Sequence, residues 1–230
     1  METNANPGKN LIIEVGGKKY ARYPIKTHLV TADNKIADVV ERYAKPYLKE
    51  GDVLFISEKC VSVTQGRSYE MSEIKPGKLA KFLVKFVTKS PYGIGLGCPE
   101  TMQLAVEEVG APRILLAAFI AALTKPFGLK GMFYRVAGPQ ARGIDGPVAY
   151  AIPPFNHRAS KIPLNADKVA KELSEKINAS VAIVDVCDMG AWIVGKSKDV
   201  QKDILLKALK DNPLGQTNQQ TPMGILREVR

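Results

Sequence analysis

A chain of 230 residues, 45% hydrophobic and 24% charged, is long enough to bury a full core and has the balance of an ordinary globular protein, which excludes a disordered or fibrous chain. Its formal net charge of +10, from 33 Lys and Arg against 23 Asp and Glu, favours anionic guests, phosphates first among them. Three cysteines without CxxC spacing, Cys60, Cys98 and Cys187, indicate neither a disulfide framework nor a zinc site and suit a reducing cytoplasm.

The polar start METNANPGKN lacks the apolar run of a signal peptide, so residues 1–10 read as a flexible tail and 11–230 as one domain. Leu11 to Val15 and Lys18 to Ile25 lean towards β structure around Gly16-Gly17, which predicts a tight hairpin. Asp33 is placed to cap a helix carrying Ile36, Val39, Val40, Tyr43 and Tyr47, ended by Pro46 and Gly51. Val53-Leu54-Phe55-Ile56 is uniformly apolar, as in a strand covered on both faces, and delivers Ser57, Glu58 and Lys59 at its C-terminal end, where α/β sheets gather ligand groups.

From Lys75 to Lys89 one helical face is apolar (Leu79, Phe82, Leu83, Phe86, Val87) and another carries Lys78, Lys81, Lys85 and Lys89; a solvated helix face explains the lysines at least as well as a binding surface. Tyr92 to Glu100 is a glycine loop leading into a helix at Pro99. It matches no phosphate-binding fingerprint, Glu100 would repel an anion, and a structural elbow is the better reading. Ile114 to Leu123 is far short of the roughly 20 residues of a membrane span, predicting a buried helix and no membrane partner.

The central stretch Gly131 to Arg158 sets Arg135, Arg142, Asp145 and Arg158 among Gly138, Gly143 and Gly146, where backbone can approach a ligand closely. It reads as an anion and metal site, and equally as a solvated turn in which Asp145 pairs an arginine. His157 and His28 give no specific signal. Asn165 is placed to cap a helix through Val169, Leu173 and Ile177, and Val181-Ala182-Ile183-Val184 is a second uniform strand whose end carries Asp185, Cys187 and Asp188. Trp192 to Val194, a helix from Val200 to Leu209, the amide-rich loop Gly215 to Pro222 and a last strand from Met223 to Arg227 complete the chain. Helices and apolar strands interleave without a repeat, giving a mixed α/β fold with flanking helices. No nucleic-acid motif accompanies the basic charge, so nucleic acid is the disfavoured partner.

The order of these motifs resembles the coenzyme F-420 γ-glutamyl ligases, which join glutamate to a deazaflavin coenzyme precursor using GTP. Gly51 to Ser62, through Gly66-Arg67, is similar to that family's first long motif, Ala137-Gly138 through Gly143-Ile144-Asp145 to its metal loop, and the strand ending at Asp188 to its second metal aspartate. Gly215-Gln216 through Pro222 resembles its C-terminal nucleotide and metal loop, and Tyr23-Pro24-Ile25-Lys26 its N-terminal nucleotide contact.

The resemblance implies Asp145, Asp188 and Gln216 as metal ligands, with Arg142, Asp145 and Asp188 as catalytic residues. It implies nucleotide contacts from Tyr23, Pro24, Ile25, Lys26, Glu58, Lys59, Gln216, Thr217 and Gln219. It further implies Mg²⁺ or Mn²⁺, GTP as co-substrate, a monovalent cation as an optional third ion, an anionic acceptor with an amino acid, and a homodimer. Three positions depart from the family: Val63 stands where a lysine is usual, Gly146-Pro147-Val148 replaces a Ser-Asn, and Met189 replaces a Thr. A non-catalytic or regulatory relative that keeps the fold is therefore the second reading.

Overall fold

A computed structural model describes residues 4–87, 94–187 and 190–229. In chain order, β1 (Ile12–Val15) and β2 (Lys18–Ile25) form the hairpin, turned by Gly16 and Gly17 at φ +62° and +79°. Helix α1 (Ile36–Tyr43), strand β3 (Val53–Ser57) and helix α2 (Glu58–Thr64) follow. Next come β4 (Ser68–Glu70), α3 (Lys78–Leu83), α4 (Pro99–Val109), α5 (Ala111–Thr124), α6 (Met132–Ala137), α7 (Pro139–Arg142) and β5 (Arg158–Ser160). The chain ends with α8 (Ala166–Ile177), β6 (Ser180–Cys187), β7 (Gly190–Lys196), α9 (Lys202–Ala208) and β8 (Met223–Val229).

These elements form two compact units. The first comprises residues 1–66 and 163–230 and holds a six-stranded mixed sheet of order β1-β2-β8-β3-β6-β7. Among the described residues only β3 and β6 pair in parallel, Leu54 opposite Val181 and Ser57 opposite Val184. They are the two uniformly apolar runs, and the alternation of a strand explains why both need apolar residues throughout. Leu54, Ile56, Val181 and Ile183 pack on one face with residues of α1, α2 and α8, while Phe55, Ala182 and Val184 pack on the other with Leu205, Ala208 and Leu209. Burying each large apolar side chain contributes about 1.5–3 kcal/mol, so this central pair anchors the unit.

The same unit buries Arg22 completely. Its guanidinium donates to Asp211, to the Ala208 carbonyl at 2.9 Å and to the Asn10 carbonyl at 2.5 Å. Partial burial alone would raise the pKa of the Asp211 carboxyl, but the hydrogen bond and charge of Arg22 outweigh it and hold that pKa below the ordinary value. A carboxylate with a depressed folded pKa stabilises fully above its unfolded pKa near 4, and this contribution is lost as pH falls through the lower folded value. Asp211→Asn is therefore expected to flatten the fall in melting temperature between about pH 5 and pH 3; parallel curves for the two proteins would refute this role.

The second unit, residues 67–162, packs Ala80, Leu83, Met102, Leu104, Ala105, Ile114, Ala117, Ala137, Ala141 and Ile144 into one core, beside the β4–β5 pair. Two expectations change here. The amphipathic helix ends at Leu83 and passes into a 3₁₀ turn over Val84–Phe86, with Lys89 outside the described residues. The helix expected to be buried is α5, yet it buries only Ile114 and Ala117, leaving Leu115, Leu116, Phe119 and Leu123 48–60% exposed. A helix apolar all round carries no periodicity to say which face is covered; here Ile114 and Ala117 face the core, and Leu115, Leu116, Phe119 and Leu123 face outwards.

Candidate functional site

The register of the first unit gathers several of the segments singled out above. β8 pairs with both β2 and β3, setting Ile25 and Ile56 each opposite Met223. Just beyond that point Ser57 N–H donates to the Pro222 carbonyl at 2.8 Å and Thr27 N–H to the Gln220 carbonyl at 3.2 Å. The C-terminal ends of β2 and β3, the start of α2 and the amide-rich loop therefore meet at one edge of the sheet. Lys26 follows directly on β2 and Glu58 and Lys59 on β3, while Gln216, Thr217 and Gln219 stand in the loop that leads through Gln220 and Pro222 into β8.

Within this edge the side chains differ in what they offer. Pro24 and Ile25 are buried, Ile25 in the core cluster, whereas Lys26 is exposed and Glu58 and Lys59 are half-buried. Tyr23 lies 5.4 Å beneath the Arg227 guanidinium. The Gln219 side-chain oxygen accepts from Thr217 N–H at 2.8 Å and from the Thr217 hydroxyl at 3.0 Å, tightening the loop on itself. That folding requires Gly215, at φ +76°: a Cβ there would sit 2.6 Å from Gln219 Cδ. Val63, at the position where the family usually carries a lysine, is 4% exposed in the apolar face of α2.

The second unit holds the central stretch. Asp145 N–H donates to the Ser160 carbonyl and Ser160 N–H returns to the Asp145 carbonyl, both at 2.9 Å, so the loop is pinned to β5 while the Asp145 side chain is exposed. Ile144 beside it is buried, which fixes the direction in which Asp145 faces outwards. Arg142 ends α7 and is exposed; it lies near Tyr134, whose phenol is pushed up by burial, with the Arg142 charge and a backbone hydrogen bond at Leu96 opposing. Gly146 is buried, and a Cβ there would lie 3.0 Å from Ile94 Cβ, so the serine usual at this point would press on Ile94.

Other candidates are accounted for structurally. Arg158 spends its guanidinium on the β4 strand, donating to Ser68 Oγ at 3.1 Å, Ser68 O at 2.5 Å and Glu70 at 3.5 Å. His28 bridges Tyr43 Oη at 2.9 Å and Asn34 Oδ1 at 3.2 Å. Asp188 and Met189 lie outside the described residues, as do Tyr92 and Gly93 of the glycine loop. Among the described residues no three His, Cys, Asp or Glu side chains converge as a metal cluster, and no helix is long and apolar enough to cross a membrane.

Asn6 escaped the sequence reading. It is buried at 8% exposure, and its side-chain N–H₂ donates to the Pro213 carbonyl at 2.8 Å and to Thr221 Oγ1 at 2.9 Å. Its partners are more than 200 positions away, so no local pattern could have announced it.

Set against known protein families, residues 24–188 match the F420-0:Gamma-glutamyl ligase family, a ligase family. The chain belongs to that family. It is also similar to an uncharacterised protein of Methanocaldococcus jannaschii, 29% identical over 176 residues, which are 74% of this chain and 56% of that protein. The chain thus spans little more than half the length of this relative.

Proposed function

We propose that the protein is a metal-dependent, GTP-using amide ligase that adds glutamate or a similar amino acid to an anionic acceptor through an acyl phosphate. The observation that supports this is that the ends of β2 and β3, which lead into Lys26 and Glu58–Lys59, are hydrogen-bonded at one sheet edge to the end of the loop that carries Gln216–Gln219, in a chain of a ligase family. A carboxylate oxygen has no leaving group at neutral pH. The acceptor carboxylate therefore attacks the γ-phosphorus and GDP departs; the amino acid's amine then attacks the acyl carbon, phosphate departs and the amine loses its proton to solvent.

Lys26 and Lys59 supply positive charge towards the nucleotide phosphates, while the amides and hydroxyl of the Gln216–Gln219 loop supply hydrogen bonds. Asp145, Asp188 and Gln216 are the ligands assigned to Mg²⁺ or Mn²⁺, and their oxygen donors suit such hard cations. When bound, the cation neutralises charge developing on the transferred phosphoryl group. Arg142, exposed beside Asp145 in sequence, holds acceptor or phosphate anions. The reading includes a cytoplasmic homodimer, supported by the outward apolar side chains of α5; a monomeric mass in light scattering would remove the dimer.

The second reading, a non-catalytic or regulatory relative that keeps a nucleotide site, is favoured by Val63 and Gly146. Both lie packed where the family has polar groups. Turnover separates the two. Incubation with GTP, Mn²⁺, glutamate and deazaflavin or other carboxylate acceptors is expected to release phosphate and to yield a product heavier by one glutamyl unit in mass spectrometry. Nucleotide binding without any such product would transfer support to the second reading.

A further inference from the structure

We infer that Asn6 is a positioning residue that staples the two ends of the Gly215–Gln220 loop and holds it in its ligand-binding shape; this rests on the nucleotide reading above. One carboxamide reaches both sides of the loop, giving one N–H to Pro213 O before it and the other to Thr221 Oγ1 after it. The Thr221 hydroxyl passes the restraint on by donating to Leu214 O at 2.7 Å. Asn212, fully buried at φ +52°, adds a third tie by donating to Gly215 O at 3.2 Å, while Gly215 N–H returns to Asn212 O at 3.2 Å. Between these ties Gln216 to Gln220 are left partly or fully exposed, as a binding element must be.

The N-terminal segment itself is fastened. Lys9 N–H donates to Asn6 O at 3.0 Å, the Lys9 ammonium reaches Asp211 O, and the buried Arg22 guanidinium joins Asn10 O to Asp211. Asn6 to Asn10 therefore act as a strap across the base of the loop. A loop fixed at both ends loses less conformational freedom when a ligand binds, which is the benefit of prior ordering. Each Asn6 bond is buried, where an unmade partner costs the full desolvation of that group.

The test compares the full-length wild type with Asn6→Ala and with Asn6→Asp, which keeps the shape but removes the donor. Hydrogen exchange of the 214–221 amides is expected to quicken in both variants, with the β3 and β6 amides unchanged. Affinity for GTP with Mn²⁺ should fall by about 10-fold, the lower end of what outer-shell partners are worth. Raised KM for nucleotide with kcat nearly preserved marks positioning rather than general loss of fold. Loop exchange equal to wild type in the Asn6→Asp protein would overturn the staple. Faster exchange with unchanged nucleotide affinity would overturn the positioning role. Should wild type itself bind no nucleotide, the functional reading fails and takes the role with it, an outcome seen before any substitution is made.

Discussion

Replacing Asp145 by Asn is expected to lower the divalent-cation-supported affinity for nucleotide by about 100-fold, at or above the 10–100-fold lost with outer-shell partners. Thermal stability should change by less than about 1 kcal/mol, the usual limit even for an exposed charge that is paired. The two effects separate because backbone and side chain do different work. The paired 2.9 Å hydrogen bonds with Ser160 and the burial of Ile144 hold the loop, and Asn keeps both; the exposed carboxylate contributes charge, which Asn lacks. Equal metal and nucleotide affinity in the variant would return Asp145 to the alternative of a solvated turn.

Glu108→Ala is expected to have the largest effect on stability, about 3–5 kcal/mol, because it strips a nearly buried cation of its counter-charge. Arg67 and Glu108, each 11% exposed, meet at 2.5 Å, and Lys161, 9% exposed, stands 3.4 Å from the second Glu108 oxygen. Arg67 also donates to Ile162 O at 2.7 Å, and Lys161 N–H to Arg67 O at 3.0 Å, so the cluster ties together the first and last residues of the second unit. At roughly 2–4 °C per kcal/mol for a chain of this size, the melting temperature should drop by about 10 °C. Glu107→Ala is the control: Glu107 is 49% exposed, 3.5 Å from Lys161, and its removal should cost under about 1 kcal/mol. Similar losses for the two variants would show that the buried pair carries no special weight.

What the sequence made legible followed from periodicity that only one structure satisfies. The uniformly apolar runs at Val53 and Val181 require cover on both faces, and they became the parallel pair at the sheet's centre. Gly16-Gly17 allowed little but a tight turn. The misses arose where the deciding partner is distant or where pattern is degenerate. α1 begins at Ile36 rather than at the expected Asp33 cap, and Asn165 precedes α8 with a left-handed backbone and no side-chain cap. The exposure of α5 depends on which helices pack against it, which composition does not encode. Asn6 looked like part of a polar tail because its hydrogen bonds go to residues 213 and 221.

The candidate site divides in the same way. Glu58 and Lys59 were placed by the strand before them and Gln216 by the loop after α9, but that the ends of β2 and β3 meet the end of this loop follows from β8 lying between β2 and β3, an order no local pattern states. The departures at Val63 and Gly146 were visible as letters, whereas their physical meaning came from packing: one fills an apolar helix face and the other lies against Ile94.

The most direct test of the central claim is calorimetric titration of the wild-type protein with GTP, ATP and other nucleoside triphosphates, each with and without Mn²⁺ or Mg²⁺. The account predicts saturable binding of GTP that tightens at least about 10-fold with the cation, equivalent to about 1.4 kcal/mol. Failure of every nucleotide to bind, with the cation present, would contradict it.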